Sequence, residues 1–323
     1  MKAASGTLFV VATPLGNPAD LSPRAASVLR DAQVILAEDT RTARRLLTQL
    51  GPRPAAFDAD AGARADAGVD AEADGHADLE AEVDGKPGAR RRILSCYDAN
   101  EASRADEVVA WLAEGLDVAL VSEAGTPLVS DPGFRVVAAA VEAGARVVPV
   151  PGPSALLAAL VGAGLPTDRF VFLGFPPRKS GARRRLFGGV RALPFTLVLY
   201  ESPLRVAATL ADLAAALGGA RRACLARELT KPYEEWVRGT LDQLAQRYAE
   251  NRPLGEVTLV IAGAAEDQAA GEALTDDEVQ ERARELLAQG LSARDAADRL
   301  AAETGRPRRE IYRLVVEAEP RED

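Results

Sequence analysis

Four loops of small, turn-forming residues hold the chemistry this chain can offer: Thr13-Pro14-Leu15-Gly16-Asn17, Ser122–Val129 (SEAGTPLV), Pro151-Gly152-Pro153-Ser154 and Glu201-Ser202-Pro203. Small residues let backbone N–H and C=O groups approach a ligand closely, which suits an adenosyl group or a carboxylate better than a triphosphate. The chain has no G-x-G-x-x-G after its first apolar run, no G-x-x-x-x-G-K-[ST], no H-E-x-x-H and no nucleophile elbow. Two cysteines, Cys96 and Cys224, and one histidine, His76, exclude a disulfide framework and a conventional Cys/His zinc cluster. The expected chemistry is therefore binding by backbone-rich loops, with no metal.

Each loop needs a strand to aim it. Val118–Val121 and Arg146–Val150 are apolar runs of the length and type that suit strands buried on both faces. Asp131 is expected to cap a helix whose first position is Pro132, running through Phe134–Glu142 and ending at Gly144. The result is a βαβ unit in which both strands end in Gly/Pro-rich loops, and ligands of open α/β sheets sit beyond the carboxyl ends of strands. Further strands are expected at Thr7–Ala12, Val34–Ala37, around Ile93, at Phe170–Gly174, Phe195–Tyr200, Ala223–Ala226, Glu235–Gly239 and Val257–Ile261. Ser22-Pro23 reads as N-cap and first position of a helix, Ser103 with Asp106 as a capping box, and Ser202 as an N-cap. Phe175–Arg185 reads as a basic loop.

The segment 52–90 is rich in Ala, Gly, Asp and Glu with almost no large apolar residue, and is expected to be disordered. Ten of its acidic residues lie between Asp58 and Asp84 with Arg64 as the one base, so the rest of the chain balances 38 basic against 38 acidic residues. The net charge of −9 therefore says nothing against a nucleic-acid partner. No apolar run approaches the roughly 20 residues of a membrane span, and the N-terminus reads as part of the fold rather than a signal peptide, so cytoplasm is expected. A linker at 265–273 precedes 274–323, where helix, Gly turn, helix, basic turn and helix outline a helix-turn-helix.

The ordered blocks TPLGN, AEDTR, SEAGTPLVSDPGF, VPGPSA, FLGFPPRK, YESPLR, ARELTK and GEVTLVI closely resemble the bacterial rRNA ribose methyltransferases of the tetrapyrrole (corrin/porphyrin) methylase superfamily. The resemblance covers about Thr7–Ala262 apart from the insertion, and the C-terminal helices match that family's small helical domain. It implies an α/β fold of two domains, 1–151 and 152–264, with S-adenosylmethionine (SAM) in the cleft between them and the PGPS turn at the crossover. It also implies a homodimer, and methylation of the 2′-hydroxyl of a cytidine in the decoding region of 16S rRNA. By motif, the cofactor contacts fall on Pro14, Leu15, Ala124, Gly125, Thr126, Pro127, Asp131, Pro151, Gly152, Pro153 and Ser154, with Tyr200, Glu201, Arg227, Glu228, Leu229 and Thr230 from the second domain.

Two departures stand out. Glu123 occupies a position where the family usually has Asp, and Tyr97-Asp98-Ala99 replaces a stretch that is commonly His-rich, so no imidazole can assist from that loop. A ribose hydroxyl is a poor nucleophile that a nearby base would help, and Glu38, Asp39 and Glu101 are the candidate carboxylates, with capping or ion pairing as their other use. Arg41, Arg44, Arg45, Arg178, Lys179, Arg183, Arg184 and Arg185 are candidate phosphate contacts, which Arg306, Arg308, Arg309 and Arg313 could extend. A tetrapyrrole-type small-molecule methylase is the alternative within the superfamily, and a non-catalytic nucleic-acid-binding regulator the alternative outside it. The arginine-rich segment and the C-terminal helices speak against the first, and the eight loop blocks against the second.

Overall fold

The structure is a computed structural model and describes residues 6–51, 79–82, 90–264, 276–304 and 306–318. Two sheets follow one another along the chain. The first contains β1 (Thr7–Val11), β2 (Val34–Ala37), β3 (Leu79–Glu82), β4 (Arg90–Ser95), β5 (Val118–Val121) and β6 (Arg146–Val150), in the order β3-β4-β2-β5-β1-β6. All pairs are parallel except β3 with β4. Its helices are α1 (Pro23–Asp31), α2 (Thr40–Leu50), α3 (Glu101–Ala113) and α4 (Phe134–Glu142). Leu8, Leu36, Leu94 and Leu120 bury one face with Leu112 and Val136, while Val11, Ile35, Ile93 and Ala119 bury the other with Leu29. This double burial is what the continuous apolar runs require, because a parallel sheet has helices on both faces.

The second sheet has the order β10-β9-β11-β8-β7, from β7 (Phe170–Phe172), β8 (Thr196–Glu201), β9 (Arg222–Arg227), β10 (Glu235–Thr240) and β11 (Val257–Ile261). Here only β7 and β8 run parallel. Helix α5 (Ala155–Gly162) covers one face, with Ala159 and Leu160 against Val198, Cys224, Ala226 and Val260. The other face packs Leu197, Leu199, Leu225 and Leu259 under α6 (Ser180–Gly189), α7 (Val206–Leu217) and α8 (Leu241–Glu250), through Phe187, Leu210, Leu213 and Leu244. Three further helices, α9 (Asp276–Ala288), α10 (Ala293–Thr304) and α11 (Arg308–Ala318), bury a core of their own from Val279, Leu286, Leu300, Ile311 and Leu314. No described helix is long and apolar enough to cross a membrane.

Several local expectations are corrected. Leu79–Glu82 within the acidic insertion pairs with β4 as an edge strand, and β4 starts at Arg90, while 52–78 and 83–89, including His76, lie outside the described residues. The expected basic loop is a helix from Ser180 onward, anchored by Arg183. Helix α3 starts at Glu101, two residues before Ser103, because Asn100 turns the chain by accepting from the Tyr97 amide and donating to the Ser95 carbonyl. Helix α7 starts at Val206, so Ser202 belongs to the turn before it. Asp131 does not cap α4: the helix starts at Phe134 after Gly133, and the carboxylate of Glu101, reaching over from α3, accepts from the Gly133 and Arg135 amides at 2.8 Å each. A distant side chain has taken over the cap. The Ser22, Ser154 and Thr240 caps bind as their residue types lead one to expect.

Candidate active site

The loops after β1, β5 and β6 leave the carboxyl edge of three adjacent strands and are tied to one another. Thr13 and Gly125 exchange backbone hydrogen bonds of 2.8 and 3.0 Å. The Thr126 hydroxyl donates to the Pro153 carbonyl at 3.0 Å, and the Ser122 hydroxyl donates to Gly125 O at 3.3 Å. Pro14, Leu15, Ala124, Gly125, Thr126, Pro127, Pro151, Gly152, Pro153 and Ser154 thus stand in one cluster.

The second sheet meets this cluster. Leu15 leaves the first sheet and packs among Leu160, Val198 and Leu229. Gly16 lies so close to the stem of Lys231 that an added Cβ would stand 2.3 Å from its Cγ. Gly174, at a φ of +60°, approaches the Ser130 hydroxyl, which would lie 3.5 Å from a Cβ there. The Tyr200 hydroxyl accepts from the Leu156 amide at 3.1 Å, and its ring packs edge-on against Phe172 and tilted against Phe175. Burial first, and the nearby Asp131 and Glu256 carboxylates after it, push the Tyr200 hydroxyl above its ordinary pKa.

Backbone strain is confined to the same place. Among the described residues, the non-glycine positions with positive φ are Leu128 (72°), Ser130 (71°), Glu228 (51°) and Thr230 (66°). All four flank the meeting line of the two sheets, and such strain persists only where surrounding structure imposes it. Thr230 adds a second sign, since its hydroxyl is buried and has no hydrogen-bond partner. A buried unpaired polar atom is costly unless a bound group satisfies it.

Not every predicted site residue faces this cleft. Glu201 points to the opposite face of β8 from Tyr200, accepting from the Ser202 amide, the Thr209 hydroxyl and Arg205, so its side chain is committed to the second sheet's own helices. Arg227 pairs with Glu235 at 2.6 Å. Glu228 accepts from the Glu256 amide at 3.0 Å and from Lys231 at 3.1 Å; burial opposes its charge, but these partners hold its pKa below the usual carboxylate range.

The candidate bases are also occupied. Asp39 is the N-cap of α2, accepting from the Arg41 amide at 2.7 Å and pairing with the Arg41 guanidinium. Glu101 is the clamp on α4, and Glu38 has an interaction partner of its own. Asp131 differs from all of them. It is half-buried, its neighbours are the Ser122 hydroxyl and the Glu123 carboxylate, and among the described residues no cation pairs with it. Burial first, then Glu123, push it from the ordinary 3.8 to about 6, against the lowering effect of Ser122. The motif marked this aspartate as a cofactor contact, but its raised pKa comes from burial and from its loop neighbours and is not legible in the sequence.

Of the predicted phosphate contacts, Arg44, Arg45, Arg178, Lys179 and Arg185 are exposed. Arg41 is exposed although paired with Asp39. Arg183 is corrected: it is 4 % exposed, and its guanidinium binds Asp212 and the carbonyl of Ala208. Arg184 also binds Asp212, at 2.6 Å, with most of its side chain in solvent. In the C-terminal helices Arg306 pairs with Asp276 and Glu310, Arg308 with Asp298, and Arg313 with Glu317. No cluster of metal-ligating residues occurs among the described residues.

Comparison with known proteins agrees with this geometry. The family model for tetrapyrrole (corrin/porphyrin) methylases matches residues 7–245, and that for the RsmI C-terminal HTH domain matches residues 272–319. The ribosomal RNA small subunit methyltransferase I of Micromonospora olivasterospora is 41% identical over 97% of this chain and 88% of its own length. That of Synechocystis is 39% identical over 97% and 99%, and that of Mycobacterium tuberculosis 40% identical over 98% and 96%. Among solved structures, diphthine synthase (TM-score 0.54, 15% identity, 82% of this chain and 94% of that one) and the methyltransferase CobJ (TM-score 0.52, 19% identity, 81% and 95%) share the fold. With matches that run through both sheets and the terminal helices, the chain belongs to the tetrapyrrole (corrin/porphyrin) methylase family and groups within it with the ribosomal RNA small subunit methyltransferase I proteins.

Proposed function

We propose that this protein is a SAM-dependent methyltransferase that methylates the 2′-hydroxyl of a cytidine in the decoding region of 16S rRNA. The observation that carries the reading is the meeting of the β1, β5 and β6 loops with the β8 and β9 loops, where all the non-glycine backbone strain and an unpaired buried hydroxyl are gathered. That meeting place fits an adenosyl-bearing cofactor, because it offers backbone groups, an apolar wall at Leu15 and the free Thr230 hydroxyl. The relatives named above are small-subunit rRNA methyltransferases, which gives the reading its substrate.

In this reading the cofactor is held by Pro14, Leu15, Ala124–Pro127, Asp131 and Pro151–Ser154 on one side, and by Tyr200, Leu229 and Thr230 on the other. When bound, SAM supplies an electrophilic methyl group on a sulfonium. The chain's own contribution is alignment, worth several kcal/mol when attacking oxygen and methyl carbon are held in line. The Thr13–Gly125 bridge and the Thr126–Pro153 bond fix the loops before the ligand arrives, and Tyr200 ties α5 to the second sheet. Arg44, Arg45, Arg178, Lys179 and Arg185 remain as exposed cations for rRNA phosphates, with Arg41 and Arg184 available after partial release from their carboxylates.

The chain divides in this reading into catalytic α/β domains 1–151 and 152–264, a linker at 265–273 and a nucleic-acid-binding helical domain at 274–323. It acts in the cytoplasm on the small ribosomal subunit, as a homodimer. Exposed Phe134 and Val141 on α4 and Leu157 and Val161 on α5 are the apolar surface a second copy would cover. The test uses purified protein, SAM and small subunits from a strain lacking the modification, with nucleosides read by mass spectrometry. A new 2′-O-methylcytidine in the decoding region is the expected result. SAM binding without transfer to rRNA would favour a small-molecule methylase, and no SAM binding at all a non-catalytic regulator.

A further inference from the structure

We infer that Phe175 is the ring on which the base of the target nucleotide stacks, presented by a pinned loop that also carries Arg178 and Lys179 for the flanking phosphates. The inference rests on the proposed methylation of rRNA and names a substrate contact within it. Phe175 is 56% exposed, although its neighbour in space, Tyr200, is half-buried in the cleft. The two rings lie 5.6 Å apart between centroids and are tilted by 56°. Gly174, the residue before it, approaches the Ser130 hydroxyl across the meeting line of the two sheets. Moving outward from the cofactor wall at Tyr200, the next ring is therefore Phe175. A ribose hydroxyl brought to this cleft carries its base with it, and a base drawn away from its neighbours regains stacking on an aromatic face.

The loop is held along its whole length. The Tyr200 amide donates to the Gly174 carbonyl at 3.0 Å, and Arg205 donates to the Pro176 carbonyl at 3.1 Å. The buried Arg183 donates to the carbonyls of Pro177 and Arg178 at 3.5 and 3.3 Å. Pro176 and Pro177 fix φ at the two positions that follow the ring. A ring mounted on backbone that is already ordered loses little freedom when a ligand arrives. The charge is also of the right sign, since Phe170–Tyr200 contains six basic residues and no acidic one, and Arg178 and Lys179 are exposed.

Glu201 and Arg205 acquire a purpose on this account. Glu201 does not reach the cofactor side of β8, but it pairs with Arg205 at 2.5 Å, and Arg205 holds the Pro176 carbonyl. Both are positioning residues that act through the loop.

The experiment measures kcat and KM for small subunits lacking the modification, with the full-length wild type, Phe175→Ala, Phe175→Leu and Phe175→Trp. SAM affinity by calorimetry, mass by light scattering and thermal melts run alongside. Phe175→Ala and Phe175→Leu are expected to raise KM for the subunit by about 10- to 100-fold, as for a lost base–aromatic stack. Phe175→Trp is expected to keep the wild-type KM or lower it, and SAM affinity to stay within about threefold in all three variants. Leucine keeps an apolar side chain without a ring, so wild-type KM in Phe175→Leu would overturn the assignment. A loss confined to kcat would do the same. SAM binding weakened more than about tenfold would make the ring part of the cofactor wall instead, and a changed mass would make it a subunit contact. Failure of the wild type to methylate rRNA would overturn the proposed function rather than this contact. If Phe175→Ala melts at or below room temperature, the contrast between Phe175→Leu and Phe175→Trp decides.

Discussion

Asp131 and Asp212 are both withdrawn from water, and the structure treats them in opposite ways. Asp212, on α7, is 3 % exposed and accepts from the Ser180 hydroxyl at 2.9 Å, from Arg184 at 2.6 Å and from Arg183. Burial opposes its charge, yet these partners hold its pKa below the ordinary value. Asp131 has burial and Glu123 acting in the same direction and Ser122 alone against them. A carboxylate surrounded by donors fixes two helices, whereas one surrounded by little else remains available to a ligand. The difference between an anchor and a carboxylate left free for a ligand lies in the company each one keeps.

The comparison breaks most visibly at Arg183. Arg183→Ala leaves the buried Asp212 with the half-released Arg184 as its remaining cation, and is expected to cost about 3–5 kcal/mol of stability, read by urea unfolding at pH 7.5. A loss under about 1 kcal/mol would show that Asp212 is no anchor.

A smaller effect of opposite sign is expected at Asp131. Its folded pKa lies above the unfolded one, so its contribution to stability is fully present below about pH 3.8 and is lost as pH rises through about 6. Asp131→Asn should therefore stabilise the unliganded protein at pH 8 by about 1–2 kcal/mol, after allowance for solvent screening. Thermal melts should also show a flatter dependence between pH 4 and 7. Asp212 has the reverse sign: its folded pKa is lowered, so the stability it contributes is present above about pH 4 and lost as pH falls through the folded value. A variant Asp131→Asn that is less stable at pH 8 would reveal a second anchor rather than a carboxylate left free for a ligand.

Arg184 sharpens the contrast at the small end. Although it touches Asp212, its side chain is 61% exposed, so Arg184→Ala should cost about 0–1 kcal/mol in the same unfolding assay. If it also contacts an rRNA phosphate, the slope of log affinity against log salt should fall by about 1 in that variant.

Much of the first sheet was legible because its strands are buried on both faces and write themselves as apolar runs, Val118–Val121 above all. The loop motifs at Thr13, Ser122 and Pro151 were legible for a related reason: Gly and Pro mark chain reversals whatever the rest of the fold does. The local cap at Ser22 was read correctly, whereas Ser103 and Ser202 were misread because the chain turns at Asn100 and at Arg205 instead. Asp131 was misread as well, since the cap there comes from Glu101 some thirty residues earlier. The arginine group failed in the same manner. Arg183, Arg184 and Arg185 look alike in sequence, but the helical turn sends the first into the Asp212 site and leaves the third in solvent.

By itself, then, the sequence determined the strands other than the edge strand Leu79–Glu82, most of the loops though not the helix from Ser180, the family blocks and the three terminal helices, which follow from local periodicity and turn chemistry. Only the tertiary structure decided which charges are in use. Whether a carboxylate caps a helix, meets an arginine or stands unpaired depends on partners brought in from other elements. Asp131 owes its elevated pKa to burial at the line where two sheets meet, and Asp212 its lowered one to a helix packed across it. Desolvation and pairing are properties of three-dimensional neighbourhoods, and no spacing along the chain encodes them.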